Sequence, residues 1–298
     1  MAFLREHSLP IAPPSAAPTA APAGASFDEA SLIVPPVAAV ENLTIEADHG
    51  AEIVHGVSFA VRPGEALGIV GESGSGKTLT CRALLGLLPA GTRISGGRVE
   101  VHGADLTRAA EREWRGVRGR RIGAVFQDPA SYLNPVIPVG AQLEEVLRVT
   151  AGVPRAAARG RARELLDDLG LRDVDTVRRR RVGELSGGML QRILIAMALA
   201  ADPAVLIADE ATTALDVTVQ AELLEVLRRL RAERGLALVM VSHDLSVVSQ
   251  VCERVAVFRE GRIVEGGATS RVLHAPGHPY TKELLSSHVQ YGLERYLS

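Results

Sequence analysis

A glycine-rich segment, GESGSGKT at residues 71–78, has the residue types and spacing of a loop that binds phosphate. Its glycines let successive backbone N–H groups surround phosphate oxygens, and the following helix adds the partial positive charge of its N-terminus. Lys77 would contact the β- and γ-phosphates, and the Thr78 hydroxyl would bind Mg²⁺. The apolar run ALGIV at 66–70 predicts the buried strand that should precede such a loop. The eight predicted ATP-binding residues are Gly71, Glu72, Ser73, Gly74, Ser75, Gly76, Lys77 and Thr78.

Two acidic residues end a second apolar run, AVLIAD at 204–209, which also predicts a buried strand. Asp209 is placed to hold Mg²⁺ together with Thr78. Glu210 is placed to polarise or orient the attacking water. Two solvated acids at the end of a strand are common, so this interpretation depends on the phosphate-binding loop.

A third pattern, ELSGGMLQR at 184–192, places a serine and two glycines at the start of a predicted helix. A helix N-terminus of this kind offers both capping and an anion site. An ordinary N-cap would be sufficient to explain the pattern if it stood alone.

The composition is that of an ordinary globular protein. The chain has 298 residues, 47% hydrophobic and 23% charged, with a net charge of −2. This balance argues against a general affinity for nucleic acid or anionic membranes. Neither an apolar run of about 20 residues nor a secretory signal is apparent, so we expect a cytoplasmic protein that reaches a membrane through protein partners. Two cysteines are too few for a zinc or iron–sulfur site.

Strand and helix patterns alternate along the chain, which predicts an α/β fold with a parallel sheet. Helical spacing over about 137–201 predicts a helical insertion. Residues 1–36 are rich in Ala and Pro and are predicted to form a disordered tail. The run Arg178 to Arg181 is predicted to be a solvated face, and His274 with His278 supplies too few ligands for a metal.

The order of these motifs resembles the ABC transporter ATPase family over roughly residues 37–298. The resemblance implies a P-loop NTPase fold of the ABC ATPase type, with a parallel-sheet core, an antiparallel β subdomain and a helical insertion. We expect the ATPase domain at 37–266, its insertion at about 129–201 and a short C-terminal extension at 267–298.

The resemblance also implies a site shared between two subunits, in which ATP lies between the phosphate-binding loop of one and the signature of the other. The implied signature residues are Leu185, Ser186, Gly187, Gly188 and Met189. Gln127 would sense Mg²⁺ and the attacking water, His243 would contact the γ-phosphate, and Asp216 would couple the two sites. The family usually stacks adenine on an aromatic residue, and only His49 is available in the matching segment.

More specific patterns resemble the first of the two ATPases of peptide and nickel importers; they are FQDPASYLNPVIPVG, LSGGMLQR, ADEATTALDVTVQ and HAPGHPYTKELL. The implied partners are a second, non-identical ATPase, two permeases and an extracytoplasmic binding protein, with this subunit peripheral on the cytoplasmic face of the membrane. The implied reaction is ATP hydrolysis to ADP and phosphate, coupled to import.

The transported substrate is left open between two classes. IVHGVSF, LTCRALLGLLPAGTR and the ending SSHVQYGLERYLS favour nickel or a metal chelate slightly over peptides, whereas ADEATTALDVTVQ and HPYT are at least as typical of peptide importers. The alternative function is a non-transport ABC ATPase of DNA repair or translation. Such proteins typically carry coiled coils, zinc modules or a second cassette, and none is apparent in the sequence.

Overall fold

The computed structural model describes the backbone of residues 34–212 and 215–289. The predicted tail lies outside the described residues except at 34–36, and so does the chain from residue 290 onward. The described part contains two β-sheets and ten α-helices.

The first sheet is antiparallel, with strand order β2-β1-β4-β5. Its strands are β1 (Ala38–Ala47), β2 (Glu52–Val61), β4 (Thr92–Val101) and β5 (Ala104–Asp105). Val57, Phe59 and Val61 of β2 alternate with more exposed residues, as expected for a sheet with one buried face. That face packs on the second sheet, where it contributes to a core with Leu67 and Phe258.

The second sheet has six strands in the order β10-β9-β3-β8-β7-β6. They are β3 (Ala66–Val70), β6 (Ile122–Val125), β7 (Val205–Asp209), β8 (Ala237–Ser242), β9 (Arg254–Arg259) and β10 (Arg262–Ala268). Five are parallel, and β10 runs antiparallel to β9. Every residue of β3, β7 and β8 is buried, because helices and the first sheet cover both faces. The predicted parallel core and antiparallel β subdomain are confirmed.

Most of the helices lie between strands along the chain, and the last two follow the final strand. They are α1 (Lys77–Ala83), α2 (Glu111–Val117), α3 (Val139–Thr150), α4 (Arg155–Asp168), α5 (Val174–Val177), α6 (Gly187–Ala198), α7 (Val217–Arg234), α8 (Leu245–Val251), α9 (Thr269–His274) and α10 (Pro279–Val289). Helices α3 to α6 lie between β6 and β7, and Leu143, Leu147, Leu165 and Leu166 are buried among them. The predicted domain boundaries, including those of the insertion, remain predictions.

The arginine run is not a uniform solvated face, and that prediction is wrong for Arg178. Its side chain is 8% exposed and forms ion pairs with Glu144 of α3 and Asp175 of α5. Its carbonyl also accepts the N–H of Gly140, where a Cβ would lie only 2.7 Å from the same oxygen. The first residue of the run therefore joins α3 to α5, and Arg179, Arg180 and Arg181 are exposed.

No helix in the described part of the chain is both long and apolar enough to cross a membrane.

Candidate functional site

The phosphate-binding loop joins the carboxyl end of β3 to the start of α1, as predicted. It passes so close to β9 that a Cβ on Gly71 would lie 2.1 Å from the carbonyl oxygen of Phe258. Gly71 and Gly76 also have positive φ values of 147° and 98°, which favour glycine. The loop can take this path only with glycine at these positions.

Lys77 lies inside the loop, with 4% of its surface exposed. Its ammonium donates hydrogen bonds to the carbonyl oxygens of Gly71, at 2.8 Å, and Glu72, at 2.7 Å. Burial lowers the pKa of Lys77, and the nearby carboxylates of Glu210 and Asp209 oppose that shift. The loop therefore holds a buried cation among backbone dipoles, which is an arrangement suited to an anionic ligand.

Asp209 ends β7 beside Thr78, at the first turn of α1. The Thr78 hydroxyl donates to Asp209 Oδ1 at 3.2 Å. Burial raises the pKa of Asp209, and the hydrogen bond from Thr78 opposes the rise. A hydroxyl and a carboxylate are hard oxygen ligands of the kind Mg²⁺ prefers, and a divalent cation here would offset the cost of burying an ionised Asp209. The chemistry and placement of Thr78 and Asp209 thus fit their predicted role as Mg²⁺ ligands.

Glu210 follows directly and turns the chain away from the strand. Its φ is 51°, which is uncommon for a residue with a side chain. Its N–H still donates to the carbonyl of Val241 in β8, at 3.0 Å. Its carboxylate Oε1 lies 4.0 Å from Nδ1 of His243, the first residue after β8. The turn therefore separates the two acids, with Asp209 against Thr78 and Glu210 beside His243.

One open cleft of about 880 Å³ brings these groups together at the carboxyl ends of β3, β7 and β8. The predicted site residues that line it are Gly71, Glu72, Ser73, Thr78, Gln127, Asp209, Glu210 and His243. Ligands of open α/β sheets typically bind at this edge.

The sequence reasoning missed four further residues that line the cleft: Arg82, Phe126, Tyr132 and Leu284. The rings of Phe126 and Tyr132 stack with centroids 5.8 Å apart, and the Arg82 guanidinium lies 5.9 Å from the Phe126 centroid. Phe126 and Tyr132 flank the predicted Gln127, so their place in the same motif was an available signal. Leu284, which comes from α10, lies within the HAPGHPYTKELL pattern, which indicated the subfamily and not a residue of the site.

The signature segment starts α6, where Ser186 Oγ accepts the N–H of Met189 at 3.4 Å. Gly188 packs on α7, since a Cβ there would lie 2.4 Å from Val219 Cγ1. Asp216 caps α7 by accepting the N–H of Val219 at 3.0 Å. The structure thus brings the signature close to Asp216 through Val219. None of the five signature residues is among the described residues that line the cleft. Of the predicted loop residues, Gly74, Ser75, Gly76 and Lys77 are not among them either.

His49 lies exposed in the turn between β1 and β2, outside the residues that line the cleft. Its stacking on adenine remains a prediction. The roles assigned to the other site residues also remain predictions, whereas their positions are now known.

Comparison with known proteins gives concordant results. The family profile described as ABC transporter matches residues 54–213. The dipeptide transport ATP-binding protein DppD of Escherichia coli is 41% identical over 239 residues, covering 80% of this chain and 73% of that protein. DppD of Bacillus subtilis is 42% identical over 255 residues, covering 84% and 76%. A Brucella melitensis protein, named provisionally for peptide import, is 45% identical and covers 86% and 78%.

Solved structures agree with the fold. The ATP-binding cassette MJ0796, a dimer in a post-hydrolysis state with ADP and Pi, has a TM-score of 0.69 and 26% identity, covering 78% of this chain and 98% of that one. The protein cbiO1 from Clostridium perfringens, part of the ABC transporter complex cbiONQ, has a TM-score of 0.70 and 26% identity, covering 87% and 96%.

Proposed function

This chain belongs to the ABC transporter family, and we propose that it is the ATP-hydrolysing subunit of an importer of dipeptides or oligopeptides. The observation that carries the proposal is the single cleft in which a phosphate-binding loop meets the Thr78–Asp209 pair and the Glu210–His243 pair. The family profile and the relatives, which are named as ATP-binding proteins of peptide or dipeptide transport, confirm the resemblance inferred from the motifs.

The residues of the cleft divide the chemistry of phosphoryl transfer among them. Lys77 and the loop N–H groups bind the phosphates, and Thr78 with Asp209 would hold Mg²⁺, with Gln127 as a further proposed contact. When bound, Mg²⁺ would neutralise charge that develops on the phosphoryl oxygens. Glu210 orients or polarises the attacking water, and His243 contacts the γ-phosphate. Since the transition state needs positioning and charge neutralisation more than covalent chemistry, this set is sufficient for one half of an ATP site.

Peptides are a better supported substrate than nickel. The sequence patterns slightly favoured nickel or a metal chelate, and the comparisons do not support that preference. Relatives at 41–45% identity are named for import of peptides or dipeptides. A non-transport ABC ATPase is not favoured either, because these relatives are import proteins.

The proposed partners are a second ATPase, non-identical to this one, two permeases and an extracytoplasmic binding protein. Two findings support a head-to-tail dimer: the similarity to a cassette solved as a dimer, and the position of the signature outside the cleft beside the phosphate-binding loop. We place the subunit on the cytoplasmic face of the membrane, held there by the permeases.

A transport assay tests this proposal. The chain would be purified with its co-purifying membrane partners and reconstituted in proteoliposomes, with MgATP on the side of the ATPase. We expect uptake of labelled di- or oligopeptide that requires ATP and is lost in Lys77→Ala. ATP-dependent uptake of Ni²⁺ or its chelate without peptide uptake would contradict the substrate. Co-purification with ribosomes or DNA in place of permeases would contradict the transport function.

A further inference from the structure

The C-terminal helix α10 reaches the phosphate-binding loop through one buried tyrosine. Tyr280, which is 2% exposed, accepts a hydrogen bond at its hydroxyl oxygen from the N–H of Glu72 at 3.1 Å. The two residues are 208 positions apart in sequence. Leu284, one turn further along α10, lines the cleft.

Several contacts hold Tyr280 in place. The Glu265 carboxylate of β10 accepts the N–H of Gly277 at 2.7 Å and the N–H of His278 at 3.0 Å. His278 Nδ1 in turn accepts the N–H of Tyr280 at 3.2 Å. The Arg259 guanidinium lies 4.8 Å from the centroid of the Tyr280 ring, within the range of a cation–π contact. The start of α10 is therefore anchored to β9 and β10 before it reaches the loop.

The contact holds one peptide group from both ends. The N–H of Glu72 and the C=O of Gly71 belong to the same planar unit, so their directions are linked. Tyr280 accepts the N–H, and the Lys77 ammonium donates to the C=O at 2.8 Å. Rotation of this peptide plane would break both hydrogen bonds. The tyrosine thus restricts the orientation of the carbonyl that faces Lys77.

We propose that Tyr280 is a positioning residue of the nucleotide site, which fixes the Gly71–Glu72 peptide and through it the Lys77 ammonium. This inference rests on the proposed ATP-binding function and adds the C-terminal segment to that site. Tyr280 acts on the part of the loop that binds phosphate, so its effect depends on how many phosphates the ligand carries.

The test is nucleotide binding by the full-length chain carrying Tyr280→Phe, which removes the hydroxyl and keeps the ring. A hydrogen bond contributes about 0.5–1.5 kcal/mol, so ATP and ADP should bind about two- to tenfold more weakly. Affinity for AMP should not change, because Lys77 contacts the β- and γ-phosphates. Lys282→Gln, exposed on the same helix, should bind all three nucleotides like the wild type.

Hydrogen exchange tests the Tyr280–Glu72 contact itself, whereas the difference between ATP or ADP and AMP separates a positioning role from a purely structural one. The Glu72 amide should be protected in the nucleotide-free wild type and exchange faster in Tyr280→Phe, with the melting temperature of the variant within about 2 °C of wild type. If Tyr280→Phe fails to fold, the wild-type exchange decides: an unprotected Glu72 amide refutes the inference. Equal ATP affinity in the two proteins also refutes it. A wild-type chain that binds no ATP would instead refute the proposed function.

Discussion

At the scale of single residues, Asp209 shows how a group suited to the site can lower the free energy of unfolding. It is 4% exposed, and burial raises its pKa, because its ionised form loses solvation. Burial likewise disfavours the charged form of Lys77 and lowers its pKa. Functional sites commonly retain such groups at a cost in folding free energy.

Replacing Asp209 by Asn should therefore stabilise the Mg²⁺-free chain. The amide Oδ1 can still accept from Thr78, and no buried charge remains. We expect a rise in melting temperature of about 2 °C, the shift that about 1 kcal/mol produces in a protein of this size, together with loss of Mg²⁺-dependent ATP hydrolysis. Thermal melts of Asp209→Asn and of the exposed control Asp167→Asn measure the effect.

The pH dependence of that gain follows from the sign of the shift. The folded pKa of Asp209 lies above the unfolded value, so ionisation penalises the folded state above the folded pKa. The stabilisation by Asn should be complete at neutral pH. It should fade as the pH falls toward about 3.9, where the unfolded aspartate is also protonated. A lower melting temperature for Asp209→Asn at pH 7 would contradict this view of the site.

The residues of the site were predictable where a motif is local, and not where a contact is distant. Thr78, Asp209 and Glu210 occur in short patterns at strand ends, and the structure places them at one cleft, with Lys77 buried in the loop beside it. Tyr280 contacts Glu72 across 208 positions, and no local spacing in the sequence predicts such a contact. The φ of Glu210 was equally unpredictable, because it depends on how β7 ends beside β8.

At the scale of elements, continuous apolar runs predicted the buried strands well. β3 was predicted at 66–70 and found at Ala66–Val70, because a strand covered on both faces needs no polar alternation. No strand was predicted after β8. β9 has a short apolar core between Arg254 and Arg259, and β10 contains two glycines, so neither has the usual sequence signal of a strand.

The correction at Arg178 shows why a charge run is ambiguous. Four successive arginines resemble a solvated face, yet a chain that leaves a helical turn points successive side chains in different directions. Arg178 points inward to Glu144 and Asp175, and Arg179 points to solvent. The backbone of the run also caps α3, through the carbonyls of Arg178 and Arg180.

Arg178→Gln should destabilise the chain, and Arg179→Gln should not. The substitution leaves two carboxylates without their guanidinium, at a cost of about 1–2 kcal/mol, since Glu144 and Asp175 are 30% and 41% exposed and water screens them in part. We expect a fall in melting temperature of about 2–4 °C for Arg178→Gln only. Equal melting temperatures for the two variants would show that the ion pairs contribute nothing measurable.

At the scale of the whole molecule, the parallel sheet separates two hydrophobic cores. Successive residues of β3 alternate between them: Ala66 and Val70 pack with the helices, whereas Leu67 and Ile69 pack with the antiparallel sheet. The nucleotide cleft lies at the edge of this sheet, where strands end and loops can vary. The parallel core was predictable from strand–helix alternation, whereas the antiparallel sheet was expected only from the family resemblance.

The signature and the cleft belong to different parts of this molecule, and this supports the proposal that each chain supplies half of two ATP sites. Ser186 lies at the start of α6 and is not among the described residues that line the cleft beside the phosphate-binding loop and Glu210. Hydrolysis should therefore depend on assembly with a second ATPase, and binding should depend mainly on the chain's own loop.

The most direct test of the central claim is to measure ATP turnover and bound ATP in the same sample of assembled complex carrying Glu210→Gln. We predict that turnover falls at least about 100-fold, the scale of a lost general base, while ATP remains bound and traps a closed dimer. The exposed control Glu225→Gln should behave like the wild type. Near-normal turnover in the Glu210→Gln complex would contradict the assignment of this cleft as the hydrolytic site.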